Sequence, residues 1–552
     1  MRDEVSKQEP NRSVKELLRE AFFETENETV QSSSPTEEET PSPSKQKLVT
    51  DFLKHLEKTA EEAKGEDRKI IESSLETLRS KINMDKSETV PSAQEDTSPV
   101  ARRYWTNASV RALAGENAID DLPVKLIAKK AEHLILAYVE DGGTTEPLDP
   151  FALAEYMKIR VEPSNDIPDA RTKASGSGFL IQYNPTRPQV RVRFSICHEL
   201  IHTIFPDCRL MTRNRSTHQR MSSDEWQLES LCDVGASELL MPIGSFKQLT
   251  DQQLSINSII QLRDKLQVST EAILLRIIKL TLADGFVFSA SHQKLGDRFK
   301  IDYIRPSSSF KEKIPYGIRL PEESVVSHCT RINFTDHAVE NWFQPLGDLE
   351  IQCVAVSPYP GQKYPRVMGI GIPTTRRVTN RPSIHYVSGD ATEPRGNEHR
   401  IIAQVVNDKA PTWGGGFARV IRRKWPHVQE NFYQWAQGGS NRLQLGNCHL
   451  SSVDDETDVF SMVCQHGYKP TLKPSIRYEA LSACLDRLGE LALSTNSSIH
   501  MPRIGCGQAG GNWHIVSEMI TRFLCERGLS VTVYDPPGSK MPDDQASLFS
   551  LL

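Results

Sequence analysis

Residues 193–205 read RFSICHELIHTIF, and the pentapeptide His198-Glu199-Leu200-Ile201-His202 within this run decides how the first half of the chain is understood. On an α-helix, residues four apart lie one above the other on one face, so His198 and His202 would offer both imidazoles to a single metal ion. Glu199 would then project toward the water that such a metal activates. An ordinary helix carrying two surface or core histidines is the competing reading. A third ligand separates the two, because a catalytic zinc keeps three protein ligands and leaves one position for water. Twenty-seven residues beyond His202, Glu229 opens E-S-L-C-D (229–233), and a second helix there places Asp233 one turn further along. Glu229 completes a His2Glu set, and Asp233 can accept the spare N–H of a ligand histidine and so fix its tautomer. A solvated helix face is the alternative for Glu229 and Asp233, but Leu228, Leu231, Leu239 and Leu240 mark this helix as packed.

Working outward, residues 122–160 have a helical pattern, and 178–194 (GFLIQYNPTRPQVRVRF) alternates apolar and polar residues about Asn184-Pro185, which predicts a hairpin. Helical spacing returns over 194–205, 224–241 and 254–282, with Pro206 and Pro242 marking two stops. A first structured domain is therefore expected over 101–282. Before it, residues 24–44 are acidic and rich in Ser and Pro, with too few large apolar groups to offset the entropy of ordering. Apolar residues from Leu48 to Leu78 then recur at helical spacing, and a Pro- and acid-containing linker covers 91–99. The expectation for 1–100 is a disordered acidic arm with short amphipathic helices.

Residues 283–380 hold short extended runs (GFVFSA, FKIDYI, LEIQCVAVS, RVMGIGI) between turns and are expected to be mostly β. From Ile384 onward, strand-like runs (IHYVSGD, IIAQVVN, DVFSMVCQ, SSIHMPRIG, SVTVYD) alternate with helical ones (FARVIRRKW, YEALSACLDRLGELAL, IVSEMITRFLCERG). That alternation predicts an α/β sandwich with a largely parallel sheet over 381–540. The whole is a multidomain chain, α+β in its first part and α/β in its last.

The chain has 552 residues, 38% hydrophobic and 25% charged, and its mean hydropathy is −0.45. No apolar run approaches the ~18 residues a membrane span needs, and the N-terminus has no apolar core of a secretory signal. The net charge of −6 is uneven: residues 1–100 carry 15 Lys+Arg against 23 Asp+Glu, net −8, which leaves +2 for the rest. Charge therefore gives nucleic-acid binding no support. The ten cysteines are scattered from 197 to 525 without a CxxC pair, which fits reduced thiols in a cytoplasm better than a disulfide framework.

The stretch from IQYNP (181–185) through RFSICHELIH to ESLCDVGASELLMP (229–242), with LQVSTEAILLRI (266–277) behind it, resembles the ImmA/IrrE-type zinc metallopeptidases over roughly residues 120–282. The resemblance implies a zincin-like fold, zinc ligands His198, His202 and Glu229, and Glu199 as the catalytic base acting on a protein or peptide substrate. Gly235 stands where the family usually has a bulky aromatic. No oxyanion donor is evident beyond the loop residue His218.

The last domain has three glycine-bearing junctions after strands: Gly389-Asp390, Gly414-Gly415-Gly416, and Gly505-Cys506-Gly507 with Gly510-Gly511. Glycines at such turns let backbone N–H groups approach a diphosphate, and the helices that follow favour negative charge; each alone can also be a tight turn. YVSGDAT, IIAQVVNDKAPTWGGGFA and MPRIGCGQAGGNW resemble the ADP-ribose-binding motifs of macrodomains. That resemblance implies Asp390 on the adenine amino group, Asn407 near the distal ribose, Gly414 to Gly416 with Phe417 around phosphate and ribose, and Gly505, Cys506 and Gly507 around the diphosphate. Its ligand would be ADP-ribose, a derivative or an ADP-ribosylated protein. Ala410, Gln465 and Ala509 stand where the family's second asparagine, catalytic lysine and aspartate would lie.

Together these readings give a cytoplasmic zinc metallopeptidase whose activity or targeting is linked to ADP-ribose recognition, in keeping with a bacterial stress or defence regulator. The alternatives are a catalytically silent zincin scaffold carrying an ADP-ribose-binding module, and a macrodomain that hydrolyses ADP-ribose derivatives.

Overall fold

Asn107 opens the first described helix: its side-chain oxygen accepts the N–H groups of Ser109 and Val110, satisfying donors that a helix start leaves open, and α1 runs Ala108–Ala114. The computed structural model describes residues 105–538 apart from short stretches, of which 215–223, 247–254 and 376–382 are the longest. The expected arm over 1–100 and His218 lie outside the described residues.

The region expected to be helical over 122–160 divides into α2 (Leu122–Glu140), α3 (Pro150–Tyr156) and β1 (Arg160–Pro163). Next come β2 (Ala170–Ser175) and β3 (Gly178–Tyr183), which with β1 and the two-residue β4 (Arg213–Asn214) form a sheet in the order β1-β3-β2-β4. The hairpin expected over 178–194 is not formed. β3 pairs antiparallel with β2 before it, and the chain enters α4 (Gln189–His202) directly after Pro188. QVRVRF does alternate, but Val190 is exposed, and Val192 and Phe194 are only half-buried. Arg193, Ile196, Cys197, Leu200 and Ile201 instead bury one helical face, and at about 1.5–3 kcal/mol for each large apolar side chain that burial outweighs the local pattern.

Helix α5 (Glu225–Leu240) packs on both α2 and α4, burying Leu228, Leu231, Cys232, Ala236 and Leu239. Gly235 has a packing reason: a Cβ there would lie 2.7 Å from the Ile201 side chain, so its absence lets α5 approach α4 closely. α6 (Ile256–Leu266) and α7 (Thr270–Leu280) complete this part.

The middle segment is an antiparallel sheet of β5 (Phe286–Ser291), β6 (Lys300–Pro306), β7 (Thr335–Glu340), β8 (Leu349–Val356) and β9 (Arg366–Pro373) in the order β6-β5-β9-β8-β7. Its faces have different partners. Phe286 and Phe288 pack into a private core with Trp342 and Phe310, while Val287, Val354 and Met368 join the core of the helices. Tyr303 and Arg366 both reach Glu271 on α7, at 2.8 and 2.7 Å, and tie the sheet to it.

The last part is a six-stranded sheet, β10 (Ile384–Ser388), β11 (Arg400–Asn407), β12 (Cys448–Asp454), β13 (Thr457–Gln465), β14 (Ser498–Pro502) and β15 (Val531–Asp535), in the order β10-β15-β14-β11-β13-β12. Every neighbouring pair is parallel except the edge strand β12, which runs antiparallel to β13. Helices α8 (Gly416–Lys424), α9 (Pro426–Gln437), α10 (Tyr478–Thr495) and α11 (Trp513–Phe523) connect the strands.

All described residues belong to one compact unit, and one buried apolar cluster runs from Ile127 and Leu231 through Val354 to Leu485, Ile515 and Ile520. Polar contacts cross the same junction: Arg522 on α11 grips both carboxylate oxygens of Glu132 on α2, at 3.0 and 2.8 Å.

Candidate metal centre and nucleotide cradle

Helix α4 presents His198, Glu199 and His202 fully buried, at 1%, 0% and 0% exposure. Helix α5 supplies the opposing carboxylate. Glu229 Oε2 lies 3.1 Å from His198 Nε2, and its Oε1 lies 3.4 Å from His202 Nε2. A tetrahedral zinc with bonds of ~2.0–2.2 Å separates its donors by about 3.3 Å, so these three side chains stand at the spacing of zinc ligands. His202 Nε2 is buried without a hydrogen-bond partner, which a metal bond would satisfy. Burial alone would raise the Glu229 pKa, but the His198 and His202 imidazoles that face its carboxylate outweigh this and hold the carboxyl well below the usual range.

The outer nitrogens are also engaged. Asp233 Oδ1 is 2.9 Å from His198 Nδ1, and Cys232 Sγ is 3.3 Å from His202 Nδ1. Residues 229, 232 and 233 lie at i, i+3 and i+4 on α5, so one helix face carries the facing carboxylate and a partner for each histidine. When Nε2 of each ring faces a metal, its Nδ1 carries the proton and donates it to these partners. Glu199 Oε2 accepts a 2.6 Å hydrogen bond from the Thr172 hydroxyl on β2, whereas its Oε1 is buried without a partner.

The second site lies where β10, β11, β13 and β14 end, at the edge of the sheet where parallel strands of open α/β folds leave a crevice for ligands. Asp390 is exposed, and its Oδ1 accepts from the Thr392 N–H at 2.8 Å. Gly416 and Gly505 adopt φ of +59° and +71°, backbone that side-chain-bearing residues rarely accept. A Cβ at Gly414 or Gly507 would meet nothing within 4 Å, one at Gly415 would meet the Gln508 side chain, and one at Gly505 would strike Ile476 at 2.9 Å. Gly505 is therefore required by the fold behind the loop, while Gly414 and Gly507 border open space. Asn407 is buried, its amide donating to the Gly467 carbonyl and its oxygen accepting the Lys409 N–H, so its side chain holds the neighbouring loops together. Phe417 packs half-buried with Trp413 and Phe432 against the sheet, and Cys506 is half-buried against the main core. Tyr534 is buried, with its hydroxyl accepting from Arg395 N–H and lying 3.1 Å from His500 Nδ1.

Residues 154–277 match the family Peptidase_M78, the IrrE N-terminal-like domain. A macrodomain protein of known structure from Streptomyces coelicolor is 38% identical across 99% of its length and 28% of this chain, with a TM-score of 0.25. The chain joins an IrrE-like domain to a macrodomain. A Bacteroides thetaiotaomicron structure of unknown function is 37% identical, again covering 28% of this chain and 99% of that one, with a TM-score of 0.27. The mouse chromodomain-helicase-DNA-binding protein 1-like is 32% identical over 174 residues, 30% of this chain but only 19% of that protein. The chain thus spans less than a fifth of the length of this curated relative.

The structure brings His198, His202 and Glu229 of the IrrE-like domain together, with Asp233 on the outer nitrogen of His198 and Glu199 next to His198 on the same helix. In the macrodomain it sets Asp390 and the two glycine loops at one sheet edge, and bonds the Asn407 side chain to Gly467 and Lys409. Two residues at the metal centre escape the sequence reading. Cys232 could have been found, since it shares the helical face of Glu229. Thr172 has no local signal, because only the β2–β3 pairing and the docking of α4 on it bring that hydroxyl to Glu199.

Proposed function

We propose that the IrrE-like domain is a zinc-dependent peptidase and that the macrodomain recognises ADP-ribose or a group bearing it, so that recognition and cleavage reside in one chain. The observation that carries the reading is the Glu229 carboxylate facing both His198 Nε2 and His202 Nε2 at 3.1 and 3.4 Å. Glu199, next to His198 on the same helix, has one oxygen tied to Thr172 and the other without a hydrogen-bond partner. His198, His202 and Glu229 would hold zinc, which supplies a water of lowered pKa and polarises the scissile carbonyl. Glu199 Oε1 then takes the proton from that water as it attacks and passes it to the departing amine, so no proton is gained or lost. Thr172 keeps Oε2 occupied and leaves Oε1 as the basic atom. Asp233 and Cys232 hold the two imidazoles by their outer nitrogens.

For the macrodomain, backbone N–H groups of the 414–416 and 505–507 loops and the N-terminus of α8 suit a diphosphate, and the exposed Asp390 carboxylate suits an amino group. All ten cysteines are thiols rather than disulfides, which supports a reducing, cytoplasmic setting. The test is comparison of proteomes from cells expressing the wild type or Glu199→Gln. Fragments found only with the wild type support the reading, and identical proteomes from two proteins that both retain zinc contradict it.

A further inference from the structure

Two of the connections between the IrrE-like domain and the macrodomain lead to the segments that build the two sites. Beyond Leu240, the metal-facing helix α5 runs into a buried turn, residues 241–246. Gly244 in that turn has φ +93°, and a Cβ there would lie 2.9 Å from the Ile515 side chain and 3.0 Å from its backbone nitrogen. Its N–H donates to Glu518 Oε2 at 2.6 Å. Ile515 and Glu518 belong to α11, whose cap, Asn512, directly follows the 505–511 loop of the nucleotide cradle. A second connection runs from α2, which packs on α5. Glu140 at its end accepts the N–H of Tyr478, the first residue of α10, at 2.7 Å, and the Tyr478 hydroxyl accepts the Asn512 N–H at 2.8 Å. Asn512 is thus held from one side by Tyr478 and carries on its other side the helix that touches Gly244.

We propose that occupancy of the macrodomain cradle and occupancy of the metal centre are coupled, in the favourable sense, through the Gly244–α11 clasp and the Glu140–Tyr478–Asn512 chain. This rests on the two binding readings given above. A diphosphate held by the 505–511 loop fixes the first turn of α11. That turn is packed against the backbone of Gly244, so the end of α5 is fixed with it, and Glu229 and Asp233 on α5 are held in register with His198 and His202. Metal bound between α4 and α5 fixes the same elements from the other end. Each ligand then meets a partner already ordered, and by linkage each must strengthen the other by the same factor. The close packing at Gly244 leaves no slack to absorb a shift of either helix.

The test is calorimetric titration of ADP-ribose into the full chain, zinc-loaded and zinc-stripped, with far-UV circular dichroism showing that the stripped protein keeps its fold. The account expects ADP-ribose to bind the loaded form at least ~5-fold more tightly, the lower end of typical coupling. Glu518→Ala, which removes the Gly244 acceptor, should bring that ratio toward one while the stripped protein's own affinity stays unchanged. Glu140→Ala, on the other connection, should lower the ratio as well, and serves if Glu518→Ala fails to fold. Equal affinities of the wild type with and without zinc would overturn the coupling and leave both binding readings standing. Failure of ADP-ribose or zinc to bind at all would instead overturn the binding reading concerned, and the coupling with it.

Discussion

The candidate metal centre and the candidate nucleotide cradle are built from opposite materials. In the IrrE-like domain, four buried or partly buried side chains on two helices, His198, His202, Glu229 and Asp233, stand within 3.4 Å of a neighbour in the group, and Glu199 lies buried next to His198 in the chain. In the macrodomain, the cradle is chiefly backbone: glycine loops at strand ends, with Asn407 and Tyr534 turned inward to hold the scaffold. A side-chain site stands or falls with single atoms. A backbone site tolerates side-chain loss but not the addition of bulk where the ligand must approach.

The sharpest break of this contrast is Glu199→Gln. It removes the base but no ligand, so peptide cleavage should fall by ~10² or more with zinc retained; a turnover assay on a substrate found by proteomics, paired with metal analysis, reads both. Next in size, Cys232→Ala and Asp233→Ala should each weaken zinc about 10- to 100-fold without abolishing it, as loss of a histidine's outer partner does. Competition against a chromophoric chelator measures this, and an unchanged affinity for Cys232→Ala would assign that thiol to packing alone.

On the macrodomain side, position should matter more than residue type. Gly507→Val projects into open space and should weaken ADP-ribose binding with little change in thermal stability. Gly505→Val meets Ile476 and an unfavourable φ, so it should lower the melting temperature whether or not ligand is present. Calorimetry and thermal unfolding on the same two proteins separate these outcomes. Smaller still, Gly235→Ala would press a methyl group against Ile201. Overpacking of this kind costs about 1–3 kcal/mol, and denaturant unfolding should show it alongside a modest loss of zinc affinity as α5 is pushed from α4.

The same contrast governs what could be read from the sequence. The candidate metal ligands were legible because helical spacing translates directly into a shared face: His198 and His202 are four apart, as are Glu229 and its companion Asp233. Thr172 was not, since its approach to Glu199 depends on how a sheet docks against a helix. The start of α4 was misread as a strand because Val190, Val192 and Phe194 alternate over six residues, too short a run to reveal the buried stripe that continues to His202. Helix α9 and strand β12 were passed over because each buries little: Val428 and Phe432 are the buried pair in the first, and the second is an edge strand with Ser451 as its buried residue. In the cradle, the glycine clusters showed where loops must turn, but which glycines face the ligand and which face Ile476 or Gln508 emerges only from packing.

On the proposed reading, His198, His202 and Glu229 hold a metal for Glu199 to work beside. Elemental analysis of the purified full chain and of His202→Ala tests it most directly. The account predicts about one zinc per wild-type chain, as for a three-ligand catalytic site, and none held stoichiometrically by the variant. Equal zinc in the two proteins would contradict it.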